Sequence, residues 1–269
     1  MAVDLVGTNG SVPGTRRLAM PYASLTVLIL LLLWQGAVML FGVPGYLLPS
    51  PYAIGLDIAA HWQMLLQNSW ITIFEVLAGF LASIAIGVPI AVVVTYSGTL
   101  QRAIYPLLVG SQTVPKVALA PLMLAWFGFG VAPKVAIVVL VAFFPIVINS
   151  MVGFASVPPQ MLYLAQSMGA SPLQSFLRFR LPHALPSIFS GIKLAAVLAV
   201  VGAVVAEFVG ADSGLGYLIM IAGSDFKIDQ QFSAIIILSM LGTLFFWLTG
   251  WVERRLLPWH VSARVGEGR

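Results

Sequence analysis

Residues 187–211 read SIFSGIKLAAVLAVVGAVVAEFVGA, with two ionisable side chains, Lys193 and Glu207, in the whole stretch. A helix needs roughly 20 mostly apolar residues to cross a bilayer, and this segment supplies them. Five other stretches read the same way. They cover about 19–42, 69–95, 103–127, 132–154 and 231–252. The composition agrees: 60% of the 269 residues are hydrophobic, 8% are charged, and the mean hydropathy is +1.01. Soluble domains carry about 25% charged residues, so a soluble globular enzyme is excluded. A disordered chain is excluded too, since this much apolar surface cannot stay solvated. The expected fold is all-α, a polytopic membrane protein with about six transmembrane helices.

The cations orient the spans. An uncleaved first span with its N-terminus inside places Arg16, Arg17, Arg102, Arg178, Arg180, Arg254, Arg255, Arg264 and Arg269 on the inner side, with Lys193 near it. Lys134 and Lys227 fall outside, and Lys116 falls within a span. Excess Lys and Arg mark the cytoplasmic side, and an odd number of spans would break the asymmetry. The expected organisation is a cytoplasmic tail over 1–18, a transmembrane domain over 19–252 and a cytoplasmic tail over 253–269. The net charge of +4 comes from scattered cations with no groove-like run, so nucleic acid is not an expected partner. With no cysteine, disulfides, thiolate nucleophiles and thiolate-bound metals are excluded.

Two connections on the outer side look structured. Ser50-Pro51 offers an N-cap and a first-turn proline, and Ile54, Ile58, Trp62 and Leu65 follow at helical spacing. This reads either as an external helix at the interface or as an extension of the second span. The stretch 212–230, with Gly214-Leu215-Gly216, reads as an outer loop or re-entrant hairpin.

The longest inner connection, 155–186, is the most informative. Pro158-Pro159 opens a helical stretch that Gly169 can stop. Ser171 can cap a second helix with Pro172 at its first position, running to about Arg180, where Leu181-Pro182 is expected to end it. Leu162, Leu164, Met168, Leu173, Phe176, Leu177 and Phe179 are too many apolar groups for a short solvated loop. Burying one such side chain is worth roughly 1.5–3 kcal/mol. Either the loop folds back on its own spans or a soluble partner covers it.

This segment resembles the cytoplasmic coupling motif of permease subunits of binding-protein-dependent ABC importers. That motif is Glu-Ala-Ala, three residues, Gly, nine residues, then Ile-x-Leu-Pro. Here Tyr163-Leu164-Ala165, Gly169 and Phe179-Arg180-Leu181-Pro182 stand in that register, with Tyr163 replacing the glutamate and Phe179 the isoleucine. The likeness extends over about 45–255. Leu48-Pro49-Ser50-Pro51, Trp126-Phe127-Gly128-Phe129-Gly130 and the run from Ala206 to Tyr217 are similar to the nitrate/sulfonate/taurine branch, which also includes presumed importers of thiamine-pyrimidine precursors, riboflavin and aromatic carboxylates.

The resemblance implies a type I ABC importer fold and a homodimer with the pathway between the copies. It also implies two ATP-binding subunits and a periplasmic substrate-binding protein as partners, with the chain multi-pass in a bacterial inner membrane. It implies that Ala165, Gly169, Ala170, Ser171, Phe176, Phe179, Leu181 and Pro182 form the ATPase-coupling segment. The chain has no Gly-x-x-x-x-Gly-Lys-Ser/Thr phosphate loop. ATP and Mg are therefore expected on the partner ATPase, with no cofactor in this chain and no catalytic residue.

Ionisable residues inside a membrane tend to face a cavity or a partner. Lys116 lies between Pro115 and Pro121, where a helix breaks, and a cation there suits an anionic solute; the alternative is a structural pair with Glu75 or a backbone carbonyl. Glu207 either touches the binding protein or caps the Gly214-Leu215-Gly216 turn. Gln112, Thr113 and Asn149 either contact solute or make interhelical hydrogen bonds. Gln112, Lys116, Asn149 and Glu207 are thus the candidate pathway residues. His61, His183 and His260 lack metal-ligand spacing. A secondary transporter is the rival from another class, but it would show internal repeats and need no partner groove.

Overall fold

The computed structural model describes residues 22–258. Arg16, Arg17, Arg264 and Arg269, on which part of the orientation rests, and most of both expected tails lie outside them. Helices account for the architecture, and among the described residues there is no strand. Helix α1 spans Tyr22–Leu40 and α2 spans Pro51–Ala60. Ser50 caps α2, its Oγ accepting from the Ala53 amide at 3.1 Å, and Ile54 is buried against the last long helix. A one-residue break at His61 separates α2 from α3, Trp62–Tyr96. The segment is therefore a distinct short helix, not the first turns of the second span.

Among the described residues, four stretches are long and apolar enough to cross a membrane: α3, α6 (Val131–Ala155), the run Pro172–Gly210, and α11 (Ile228–Leu256). The span expected over 103–127, with its interruption at Pro115, Lys116 and Pro121, is a pair of helices. Helix α4, Gly98–Ser111, and the segment Lys116–Phe127, which contains α5 (Ala120–Phe127), meet at 85°. Proline explains the break. Pro115 and Pro121 have no N–H to donate, and the chain between α4 and Pro115 unwinds into tighter bonds, Gln112 N–H to Val109 O and Thr113 N–H to Gly110 O. The Thr113 hydroxyl takes up the Gly110 carbonyl as well, at 2.7 Å. Counting this pair as one span gives five. The described apolar part of α1, Ser24–Leu40, is 17 residues, about 25 Å at 1.5 Å per residue, so a sixth full crossing is not contained in the described residues.

The core is the α3–α6–α9 layer, where α9 is Leu181–Gly210. In a bilayer, close packing rather than the hydrophobic effect joins helices, and small residues permit it. Ala184, Ala195, Ala199 and Ala203 line the seam of α9. At Gly191 an added Cβ would stand 2.7 Å from the Pro145 carbonyl oxygen, and at Gly153 2.8 Å from that of Ala184. Backbone cannot yield there, so these two glycines set the spacing of α6 and α9.

Between α9 and α11 the expected outer hairpin is a ten-residue helix, α10, Leu215–Ser224, with Leu215, Leu218 and Ile219 buried against neighbouring helices.

Candidate coupling surface and solute pathway

The inner hairpin is built from short-range bonds. Helix α7, Pro159–Ser167, ends with Ala170 N–H on Ala165 O at 3.0 Å and Gly169 N–H on Gln166 O at 2.9 Å. These crossed bonds are a Schellman stop, and they need a left-handed residue between them. Gly169 supplies it, with φ +77°. Ser171 and Gln174 then cap each other reciprocally, and α8, Pro172–Ser175, begins.

The helix does not end at Leu181-Pro182, as the sequence led us to expect. Residues Phe176–Arg180 form one π-helical turn, closed by Leu181 N–H on Phe176 O, and the chain runs on into α9. A wider i→i+5 turn lets a helix absorb an extra residue without breaking. Pro182 sits in the first turn of α9, where its missing N–H costs little. The second arm of the hairpin and the fifth span are therefore one 39-residue helical run, Pro172–Gly210.

Of the eight candidate coupling residues, several face inward. Ala165 is buried; Phe176 packs at a tilt against Phe154 and Tyr96, ring centroids 5.7 and 5.9 Å away; Phe179, Leu181 and Pro182 are half-buried. Arg180 lies over the Tyr96 ring, its guanidinium carbon 5.2 Å from the ring centroid. These residues seat the hairpin on the ends of α3 and α6. The face turned outward is different: Leu164, Met168, Leu173 and Leu177 are 51–77% exposed, with Tyr163 beside them. The helical period of each arm contained that division, but the register of the π turn was not readable.

At the kinked span, Lys116 is half-buried and its Nζ lies 4.8 Å from the Phe144 ring centroid. Gln112 is exposed one turn earlier. Asn149 lies on α6 one turn beyond Pro145, donating from Nδ2 to the Pro145 carbonyl at 2.8 Å, where α9 crosses at Gly191. The pairing of Lys116 with Glu75 does not form. Glu75 is engaged by Lys134, and both side chains are buried. Sequence placed Lys134 on the outer side; it occupies the first turn of α6 and is buried.

Glu207 stands apart from the other three candidates. It is fully buried near the C-terminal end of α9 and accepts from the Thr72 hydroxyl at 2.7 Å and from the Gly216 amide. The same Thr72 oxygen accepts from the Leu215 amide at 2.9 Å, and Asn68 Oδ1 from the Gly214 amide at 2.7 Å. Three side chains thus hold the amides that open α10, the orphan donors of a helix start. Thr72 and Asn68 carried no sequence signal for this role, because their partners lie more than 140 residues away.

Residues 83–258 match the family of binding-protein-dependent transport system inner membrane components. The chain belongs to that family. A probable ABC transporter permease protein of Haemophilus influenzae is 35% identical, covering 88% of this chain and 96% of its own length. The formylaminopyrimidine transport permease ThiX of Halalkalibacterium halodurans is 38% identical, covering 88% and 95%. Relatives named for riboflavin, aliphatic sulfonates, taurine and nitrate match as well. A chain of the inward-facing MetNI methionine ABC transporter shares the fold, with a TM-score of 0.64 at 20% identity over 73% of this chain and 97% of that one. The protein is thus an ABC importer permease, a multi-pass inner-membrane component of a system whose ATP hydrolysis and first solute capture belong to other subunits.

Proposed function

We propose that two copies of this permease form the translocation pathway of an importer, with two ATP-binding subunits on the inner face, a periplasmic binding protein on the outer face, and both termini in the cytoplasm. The hairpin 159–180 is the coupling element. One observation carries this: exposed apolar side chains, Leu164 and Met168 on the first arm and its turn and Leu173 and Leu177 on the second, sit on a hairpin whose second arm is continuous with a membrane-spanning helix. Closure of the ATP-binding pair on ATP and Mg draws the two hairpins together, and each fifth span moves with its hairpin. The hairpin must bind the two states of its partner unequally, since equal affinity shifts nothing.

The test uses Leu164→Asp and Leu173→Asp, made at side chains 61% and 65% exposed, so insertion and folding should persist. The tagged permease is purified from its own host in mild detergent. We expect the co-eluting ATP-binding subunit to be lost, as for a hot-spot residue worth at least ~2 kcal/mol. Co-elution at the wild-type ratio would refute the assignment.

The cargo on this reading is a small anion, a nitrate, sulfonate, taurine or aromatic carboxylate, because Lys116 is a cation within a span. A second reading, a thiamine-pyrimidine precursor or riboflavin, is favoured by the 38% identity to the formylaminopyrimidine permease. Transport assays with the cognate binding protein, offered both classes, separate them.

A further inference from the structure

Lys116 lies level with the middle of α6, a helix long and apolar enough to cross a membrane. Phe144, whose ring it covers, lies 13 residues from the start of α6 and 11 from its end, about 20 and 17 Å along the axis. Among the described residues, the other three lysines each hold a carboxylate: Lys134 with Glu75, Lys193 with Glu253 and Lys227 with Asp225. Lys116 holds none. The described carboxylates lie elsewhere: Glu75 and Glu207 are buried and engaged towards one end of the helices, Glu253 faces Lys193 towards the other, and the aspartates lie in or beside the short connecting segments.

Irregular backbone at membrane depth is tolerated where it lines a cavity or is buried in protein. Around this break Gln112 and Thr113 are exposed, and so are Val114 and Val117, at 46% and 50%. The break therefore presents an ammonium, an amide and flanking apolar groups together, beside a ring that already meets Phe143 edge-on at 5.3 Å.

We propose that Lys116 and Phe144 form a solute-binding site inside the permease, taking a small molecule with a carboxylate or sulfonate on a flat apolar body. The proposal rests on reading the chain as an import pathway and names the solute class for it. In the state described here the ammonium rests on the ring. An arriving anion draws the ammonium to itself by a charge-assisted bond, and the freed ring face stacks on the solute's flat body.

The full chain in lipid nanodiscs is titrated with benzoate, benzenesulfonate and neutral benzamide, and binding is followed by ligand-observed NMR. We expect both anions to bind at least about tenfold more tightly than benzamide. Lys116→Gln should bring them to the benzamide level, Lys116→Arg should retain them, and Phe144→Leu should weaken all three probes. Equal binding of anions and benzamide, unchanged anion binding in Lys116→Gln, or no detectable anion binding would each overturn the site. Thermal melting of every variant separates lost binding from lost fold. Leu164→Asp, which breaks the coupling surface, should leave these titrations unchanged, so failure of the importer reading would appear in ATPase capture alone.

Discussion

Helices α7 and α10 of this permease end in the same pair of crossed bonds, but different residues occupy the left-handed position. At α7 it is Gly169; at α10 it is Phe226, φ +57°, with Phe226 N–H on Gly223 O and Lys227 N–H on Ala222 O. An αL backbone costs a non-glycine residue about 1–3 kcal/mol, and most for branched or bulky side chains. Nothing within 4 Å would meet a Cβ at Gly169, so backbone strain alone decides substitutions there. Gly169→Val should therefore loosen the hairpin and release the ATP-binding subunit, while Gly169→Asn, which tolerates αL, should retain much of it. Co-purification of the two variants checks this, and equal behaviour would mean that the turn is not what holds the knob. Phe226→Gly should do the opposite at the outer face. Relief of strain, partly offset by glycine's greater unfolded entropy, should raise the melting temperature in detergent; a fall would mean that the exposed ring makes contacts worth more than the strain.

Elements were legible in proportion to how locally they are determined. The capping of α2 by Ser50, the stop at Gly169 and the cap at Ser171 depend on neighbours within five residues, and the sequence pattern located all three. Proline was read rightly in one place and wrongly in another. The break expected between Pro115 and Pro121 is there, as an 85° bend, but Pro182 lies in a helix's first turn and ends nothing. The π turn before Pro182 carries the helix on, and no residue type announces it. Long-range pairing was the least legible. Glu75 is 59 positions from Lys134, and the sequence argument offered it only Lys116. That buried pair makes a sharp prediction about α3 and α6. Lys134→Met leaves Glu75 as an uncompensated buried charge, at a cost of about 3–5 kcal/mol. The double variant Lys134→Met with Glu75→Leu removes both charges and should recover most of the loss. Melting of the purified permease distinguishes the outcomes: if the double variant is as unstable as the single one, the pair contributes packing rather than charge compensation.

At the scale of the whole molecule, the 39-residue run from Pro172 to Gly210 extends about 58 Å, longer than the hydrocarbon core is thick. It joins the inner hairpin to the polar cluster that holds α10. A motion imposed on the hairpin should therefore appear at the outer face with opposite sign, as in rocking about the membrane centre. The cysteine-free sequence makes this directly measurable. Met168 and Phe226 are 77% and 80% exposed, one at the inner turn and one beyond α10. Cysteine at each position would carry a unique spin label, and distances between the two copies in the assembled transporter can be measured with and without trapped ATP. The Met168→Cys labels should approach each other in the ATP-trapped state while the Phe226→Cys labels separate. Replacing Arg178 and Phe179 by glycine softens the π turn, the one irregular segment of the run. In that background the inner labels should still close and the outer labels should stay still, with ATP hydrolysis continuing uncoupled. If the outer labels move as far in the softened permease as in the native one, the signal passes through the α3–α6 contacts instead, and the Pro172–Gly210 helix is a strut rather than a lever.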